Sequence, residues 1–186
     1  MSAALQKPMD MAAFLAWEER QELRHEFDGI SIRAMTGGTG AHAAIERNLI
    51  AALTQLLRGK PCKPYGGNLK LKLEHSIRYA DASVVCAPVG LDDTFSTQPV
   101  VVFEILSKST ANKDFGAKKS EYQATISVQR YVILQQKRRA VEVFYRSEEE
   151  EDGWAYEVFY EDAIVSMPEI GISLSLVDIY DGLDLP

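Results

Sequence analysis

Apolar positions recur along this chain with two periods, and the two together predict most of its elements. Phe14, Leu15, Trp17 and Leu23 follow Asp10, a good N-cap, and Met9 with Phe14 fits a hydrophobic staple around it. That spacing predicts a helix from residue 11 to about residue 24. A second helical stripe, Ile45, Leu49, Ala52, Leu53 and Leu56, predicts a helix over residues 41–57, stopped by Gly59-Lys60-Pro61. A third helix is expected over about 113–124, capped by Thr110 or Asn112.

Alternation takes over elsewhere. His25-Glu26-Phe27, then Asp28-Gly29, then Ile30 to Met35 is a hairpin signal. Leu69, Leu71 and Leu73 alternate with Lys70, Lys72 and Glu74, a half-buried strand. Near-continuous β-branched and apolar runs predict strands at about 79–86 and 100–106, buried on both faces. Residues 131–135 and 141–145 pair as a hairpin across Lys137-Arg138-Arg139, residues 154–160 add a strand, and the tail gives a short strand at 172–176 and a helical turn at 177–183. Thr36-Gly37-Gly38-Thr39-Gly40 is a break without the Lys and Ser/Thr of a phosphate loop. The order of elements predicts one mixed α/β domain.

Composition changes little in this picture. A chain of 186 residues fits one domain with a full core, and no apolar run reaches the roughly 20 residues of a membrane helix. Residues 1–7 lack the apolar core of a signal peptide, and Cys62 and Cys86 have no metal-type spacing; the expectation is two free thiols in a reducing cytoplasm. Charge matters more. A net charge of −7 argues against a general polyanion binder. Positive charge is nevertheless grouped, at Arg58, Lys60, Lys63, Lys70, Lys72 and Arg78, and at Lys108, Lys113, Lys118 and Lys119, whereas Glu148 to Asp152 form a solvated acidic loop.

The chemistry is concentrated in the two buried strands, which carry one carboxylate each, Asp81 and Glu104. An acid within an apolar strand is costly to desolvate unless it is paired. Two of them on strands that could be neighbours suggest a shared partner, and a divalent cation is the simplest. Asp81, Glu104 and the backbone carbonyl of Ile105 would suit a hard cation, and Lys118, early in the following helix, could return a positive charge to the site. Each residue also has an ordinary explanation. Asp81 could pair with Arg78 or satisfy turn amides, His42 could be a packed or capping residue, and Lys118 a solvated lysine. Glu46 is expected as a surface acid paired with Arg47 or a neighbour, and Glu26 could be a third acid of the site. Ser107, Ser109 and Thr110 have no histidine at a serine-hydrolase spacing.

Tyr79-Ala80-Asp81, Val102-Phe103-Glu104-Ile105-Leu106-Ser107, Ser109-Thr110, Asp114, Lys118 and Tyr122 together resemble the Uma-type restriction endonuclease family of bacteria, within the PD-(D/E)XK nuclease superfamily. Phe14-Leu15-Ala16-Trp17-Glu18, His25-Glu26-Phe27-Asp28-Gly29, Met35 to His42 and Leu174 to Tyr180 resemble it as well, so the resemblance spans about residues 9–182. It implies a restriction-endonuclease-like fold, a central mixed β-sheet flanked by helices, with Asp81 and Glu104 as ligands of Mg2+ or Mn2+. The superfamily's lysine two residues after the acid is Leu106 here, and the family's alternative, a lysine from the next helix, maps onto Lys118. Ala80 replaces the proline before the aspartate, Lys108 a proline, and Arg130 a glutamate.

The expectation is a metal-dependent DNA endonuclease, a cytoplasmic homodimer, with Glu26 and His42 as accessory residues. Two further readings stay open: a nucleic-acid-binding or assembly module without turnover, and a protein-interaction domain built on the basic hairpin.

Overall fold

The computed structural model describes residues 9–35, 37–106 and 114–185. Helix α1 (Met11–Glu18) is capped as expected, Asp10 Oδ1 accepting from the Ala13 amide at 2.8 Å. It stops at Glu18 rather than near residue 24. The Glu18 carboxylate turns inward, taking the Lys70 ammonium at 3.0 Å and the Tyr79 hydroxyl at 2.8 Å. The hairpin of β1 (His25–Phe27) and β2 (Ile32–Ala34) follows. Asp28 Oδ1 accepts from the amides of Ile30 and Ser31 in its turn, and Gly29 takes the left-handed conformation, φ +87°, that a side chain would disfavour.

Helix α2 (Gly40–Leu56) is capped by Thr39 and buries Ile45, Leu49 and Leu53, the predicted stripe. The strand predicted at 79–86 is shorter, Ala82–Val85, and a separate short strand precedes it. β5 (Ile77–Arg78) joins β4 (Lys70–Lys72) and β7 (Phe95–Ser96) in a five-stranded sheet, order β2-β1-β5-β4-β7. β6 (Ala82–Val85) belongs instead to a six-stranded sheet with β3 (Lys63–Gly66), β8 (Pro99–Leu106), β9 (Arg130–Gln135), β10 (Ala140–Arg146) and β11 (Trp154–Tyr160), order β11-β10-β9-β8-β6-β3. The chain changes sheets at Tyr79-Ala80-Asp81, and Asp81 sits at that switch. A continuous apolar run gives no sign of such a change of partner.

β8 and β9 are parallel, and the connection between them carries a π-helical turn (Asp114–Lys118) and helix α3 (Lys119–Ala124). The expected caps Thr110 and Asn112 lie outside the described residues. Side chains of β8 alternate between two cores. Val101, Phe103 and Ile105 pack toward α2, the hairpin of β12 (Ile164–Met167) and β13 (Ile172–Ser175), and helix α4 (Leu176–Ile179). Val102 packs toward Tyr122 of α3 with Tyr131 and Ile133. The architecture is the predicted one, mixed sheet flanked by helices.

Two expectations are corrected. Cys62 and Cys86 form a disulfide rather than two free thiols. They are the next pair beyond Lys63 and Val85, which face each other across β3 and β6, so strand register joins them where their separation of 24 residues gave no signal. The basic group from Arg58 to Arg78 is also not one surface. Lys70 and Arg78 are buried, and each is consumed in ion pairs.

Candidate metal and phosphodiester site

The β6–β8 ladder runs out at Ala82 opposite Phe103, which makes Asp81 and Glu104 the next positions along neighbouring strands. Asp81 is fixed from two sides. Its Oδ2 accepts from the Ile105 amide at 2.6 Å, and its Oδ1 lies 3.2 Å from His42 Nε2, in the first turn of α2. The pairing with Arg78 that would have made Asp81 purely structural is absent among the described residues.

Glu104, 4% exposed, faces the opposite core. Its Oε1 accepts from Lys118 Nζ and from the Tyr122 hydroxyl, both at 2.9 Å. Lys118 and Tyr122 stand one helical turn apart on the segment that crosses from β8 to β9, so the crossover lays both over Glu104. Burial and the Glu104 charge hold the Tyr122 phenol well above its ordinary pKa, so it stays a proton donor.

Glu26 on β1 completes the cluster from the other sheet. Its Oε1 lies 3.2 Å from Lys118 Nζ and accepts from the Tyr79 amide at 3.2 Å, and its Oε2 lies 3.3 Å from Arg78. Arg78 in turn grips Glu121, its Nε donating to Oε2 at 2.7 Å. Burial opposes the guanidinium charge, but Glu121 and Glu26 raise its pKa above the ordinary value. The sequence-predicted residues therefore fall in two bonded groups that adjoin through β8: Asp81 with His42 and the Ile105 amide, and Glu104 with Lys118 and Glu26.

Several residues were not foreseen. Glu46 is not a surface partner of Arg47, which bonds Asn48 instead. Glu46 lies 4.0 Å from His42, and burial, then the nearby Asp81 charge, raise its pKa. Its position one turn after His42 was the available signal. Tyr122 was marked only by the family resemblance, and Arg78 and Glu121 gave no signal as a pair, because each charge is ordinary where it stands.

The donor set suits a hard divalent cation. Among the described residues, Glu104, Glu26 and Glu121 pair with Lys118 and Arg78, and Asp81 pairs with His42. Among the described residues no three His, Cys, Asp or Glu side chains gather as a metal cage. Two carboxylates completed by backbone oxygen and water is the usual arrangement for magnesium.

The chain matches, over residues 11–177, the Uma2 family, whose description is "Putative restriction endonuclease". The chain belongs to the Uma2 family. An uncharacterized protein of Synechocystis sp. (strain ATCC 27184 / PCC 6803 / Kazusa), slr1290, is 30% identical over 173 residues, 91% of this chain and 90% of that protein. The crystal structure of a "putative nuclease belonging to DUF820" from Anabaena variabilis ATCC 29413 superimposes with a TM-score of 0.75 at 21% identity, covering 93% of this chain and 98% of the other. That likeness shows a shared fold. The structure places Arg130 away from Glu104 and its partners. Arg130 faces the α2 side of β9, opposite to Glu104, donates to Glu169 Oε1 at 2.6 Å and lies over the Tyr145 ring.

Proposed function

We propose that this Uma2-family chain is an endonuclease that hydrolyses phosphodiester bonds of DNA with Mg2+ or Mn2+. The observation that carries the proposal is the meeting of Asp81 and Glu104 at a sheet switch point, with Lys118 bonded to Glu104. Asp81, Glu104 and the Ile105 carbonyl would hold the cation, which, when bound, polarises a phosphoryl oxygen and acidifies water.

The protein's own contribution is positioning and charge. The Ile105 amide and His42 aim the two Asp81 oxygens, leaving each with a lone pair to offer. Lys118 and Tyr122 pair the Glu104 carboxylate and fix it inside an apolar sheet, where an unpaired acid would be costly to bury. The Lys118 ammonium also sets positive charge beside the place where an attacking water would sit, and Glu26 holds it there. A homodimer would present one such site to each strand of a duplex.

The test is cleavage of plasmid and single-stranded DNA by purified protein with magnesium or manganese, beside Asp81→Ala and Glu104→Ala. Both variants should fall to background. Cleavage that survives both changes would move the chemistry elsewhere. Salt-dependent DNA binding with no cleavage by the parent would leave a binding module without turnover.

A further inference from the structure

Three consecutive cations, Lys137, Arg138 and Arg139, fill the turn between β9 and β10 of a chain whose net charge is −7. The fold brings this turn to the end of the sheet where the two carboxylates lie. Glu104 is opposite Ile133 and Leu106 opposite Gln135 on parallel strands, so the turn begins just past the level of Glu104. A side-chain bond fixes it there. Thr39 Oγ1 donates to Gln136 Oε1 at 2.7 Å, and Thr39 caps the helix whose first turn presents His42 to Asp81. From Ile133 to Gln136 an extended strand rises about 10 Å.

The charges of this turn are not used internally. Among the described residues none of the three forms an ion pair; Lys137 and Arg138 are exposed, and Arg139 Nε is buried without a hydrogen-bond partner. Arg138 lies 5.9 Å from the centre of the Tyr160 ring. Arg138, Arg139 and Tyr160 line an open hollow of about 480 Å³ together with Glu161 and Asp162. Two cations and two acids line the hollow, and the exposed Lys137 adds a third positive charge on the turn beside it. A buried N–H with no acceptor is costly, and a phosphate oxygen entering the hollow would supply one.

We propose that the Lys137-Arg138-Arg139 turn is a clamp for the DNA phosphate backbone, holding the strand beside the Asp81–Glu104 site at the same end of the sheet. The proposal rests on the endonuclease reading for the identity of its ligand, and its test separates the two. Binding of a fluorescein-labelled duplex of about 25 base pairs by the full chain is measured in EDTA, across about 50 to 200 mM salt. Lys137→Gln with Arg138→Gln should lower the slope of log affinity against log salt by about 2, making the change in affinity across that range about tenfold smaller. Thermal unfolding should not move, because both side chains are exposed. Arg58→Gln, an exposed change at the far end of α2, should leave the slope intact. Cleavage with magnesium is read separately: its absence sinks the endonuclease, while a lowered slope still supports the clamp. An unchanged slope, or no duplex binding by the parent, overturns the clamp even where cleavage occurs, and assigns the turn to an acidic protein surface.

Discussion

At the scale of single residues, the legible part of the site was the part that is chemically anomalous. Asp81 and Glu104 stood out because acids seldom occupy apolar strands without a reason. Their neighbours were hidden because each is ordinary where it stands. Tyr122, which only the family resemblance marked, can be tested. Tyr122→Phe keeps the ring against Tyr131, 5.0 Å away, but removes the donor to Glu104. A buried acceptor losing one partner should cost about 1–3 kcal/mol in urea unfolding, and cleavage should fall further than that loss of folded protein explains. Gly38 is a second case. A Cβ there would come 2.9 Å from His42 Cγ, so Gly38→Ala must displace the imidazole that holds Asp81. The residue is exposed, and unfolding should change by less than about 1 kcal/mol while cleavage drops. Normal cleavage by Gly38→Ala would remove His42 from the site.

At the scale of elements, periodicity located helices and strands but not what polar side chains do inside them. The stripe on α2 was correct because one face of that helix packs on one sheet. Alternation in β4 misplaced Lys70, which is 5% exposed and bonded to Glu18 where α1 ends. Burial works against the Glu18 charge, but hydrogen bonds from Tyr79 and Lys70 and the Lys70 charge bring its pKa below the ordinary value of 4.5. A carboxyl whose folded pKa is lowered adds stability above its unfolded pKa and loses it as pH falls through the folded one. Glu18→Gln should therefore destabilise the protein at neutral pH by about 3 kcal/mol, since Lys70 loses its counter-charge. Between about pH 6 and pH 3 the variant should lose stability less steeply than the parent. Urea midpoints across that range measure both effects, and parallel curves would mean that Glu18 does not titrate with folding.

At the scale of the whole molecule, the fold class was readable from the order of elements, whereas the division into two sheets was not. Strand patterning does not say which partner a strand takes, so the switch at residues 79–81 and the edge strand β3 became visible only in three dimensions. The same blindness hid the disulfide, because register across β3 and β6 is what brings Cys62 to Cys86. Its place in the molecule separates stability from chemistry. The bond closes a loop across a separation of 24 residues and ties the sheet's edge strand to β6 at Cys86, whereas Asp81 lies at the other end of β6. A loop of that size restricts the unfolded chain by about 3 kcal/mol. Cys62→Ser with Cys86→Ser, or reduction of the parent by dithiothreitol, should lower the unfolding midpoint accordingly. DNA cleavage per folded molecule should stay near the parent's, because Cys86 and Asp81 lie at opposite ends of β6. A loss of cleavage with little loss of stability would reverse that assignment and make the register of β3, set by the disulfide, a condition for the geometry at Asp81.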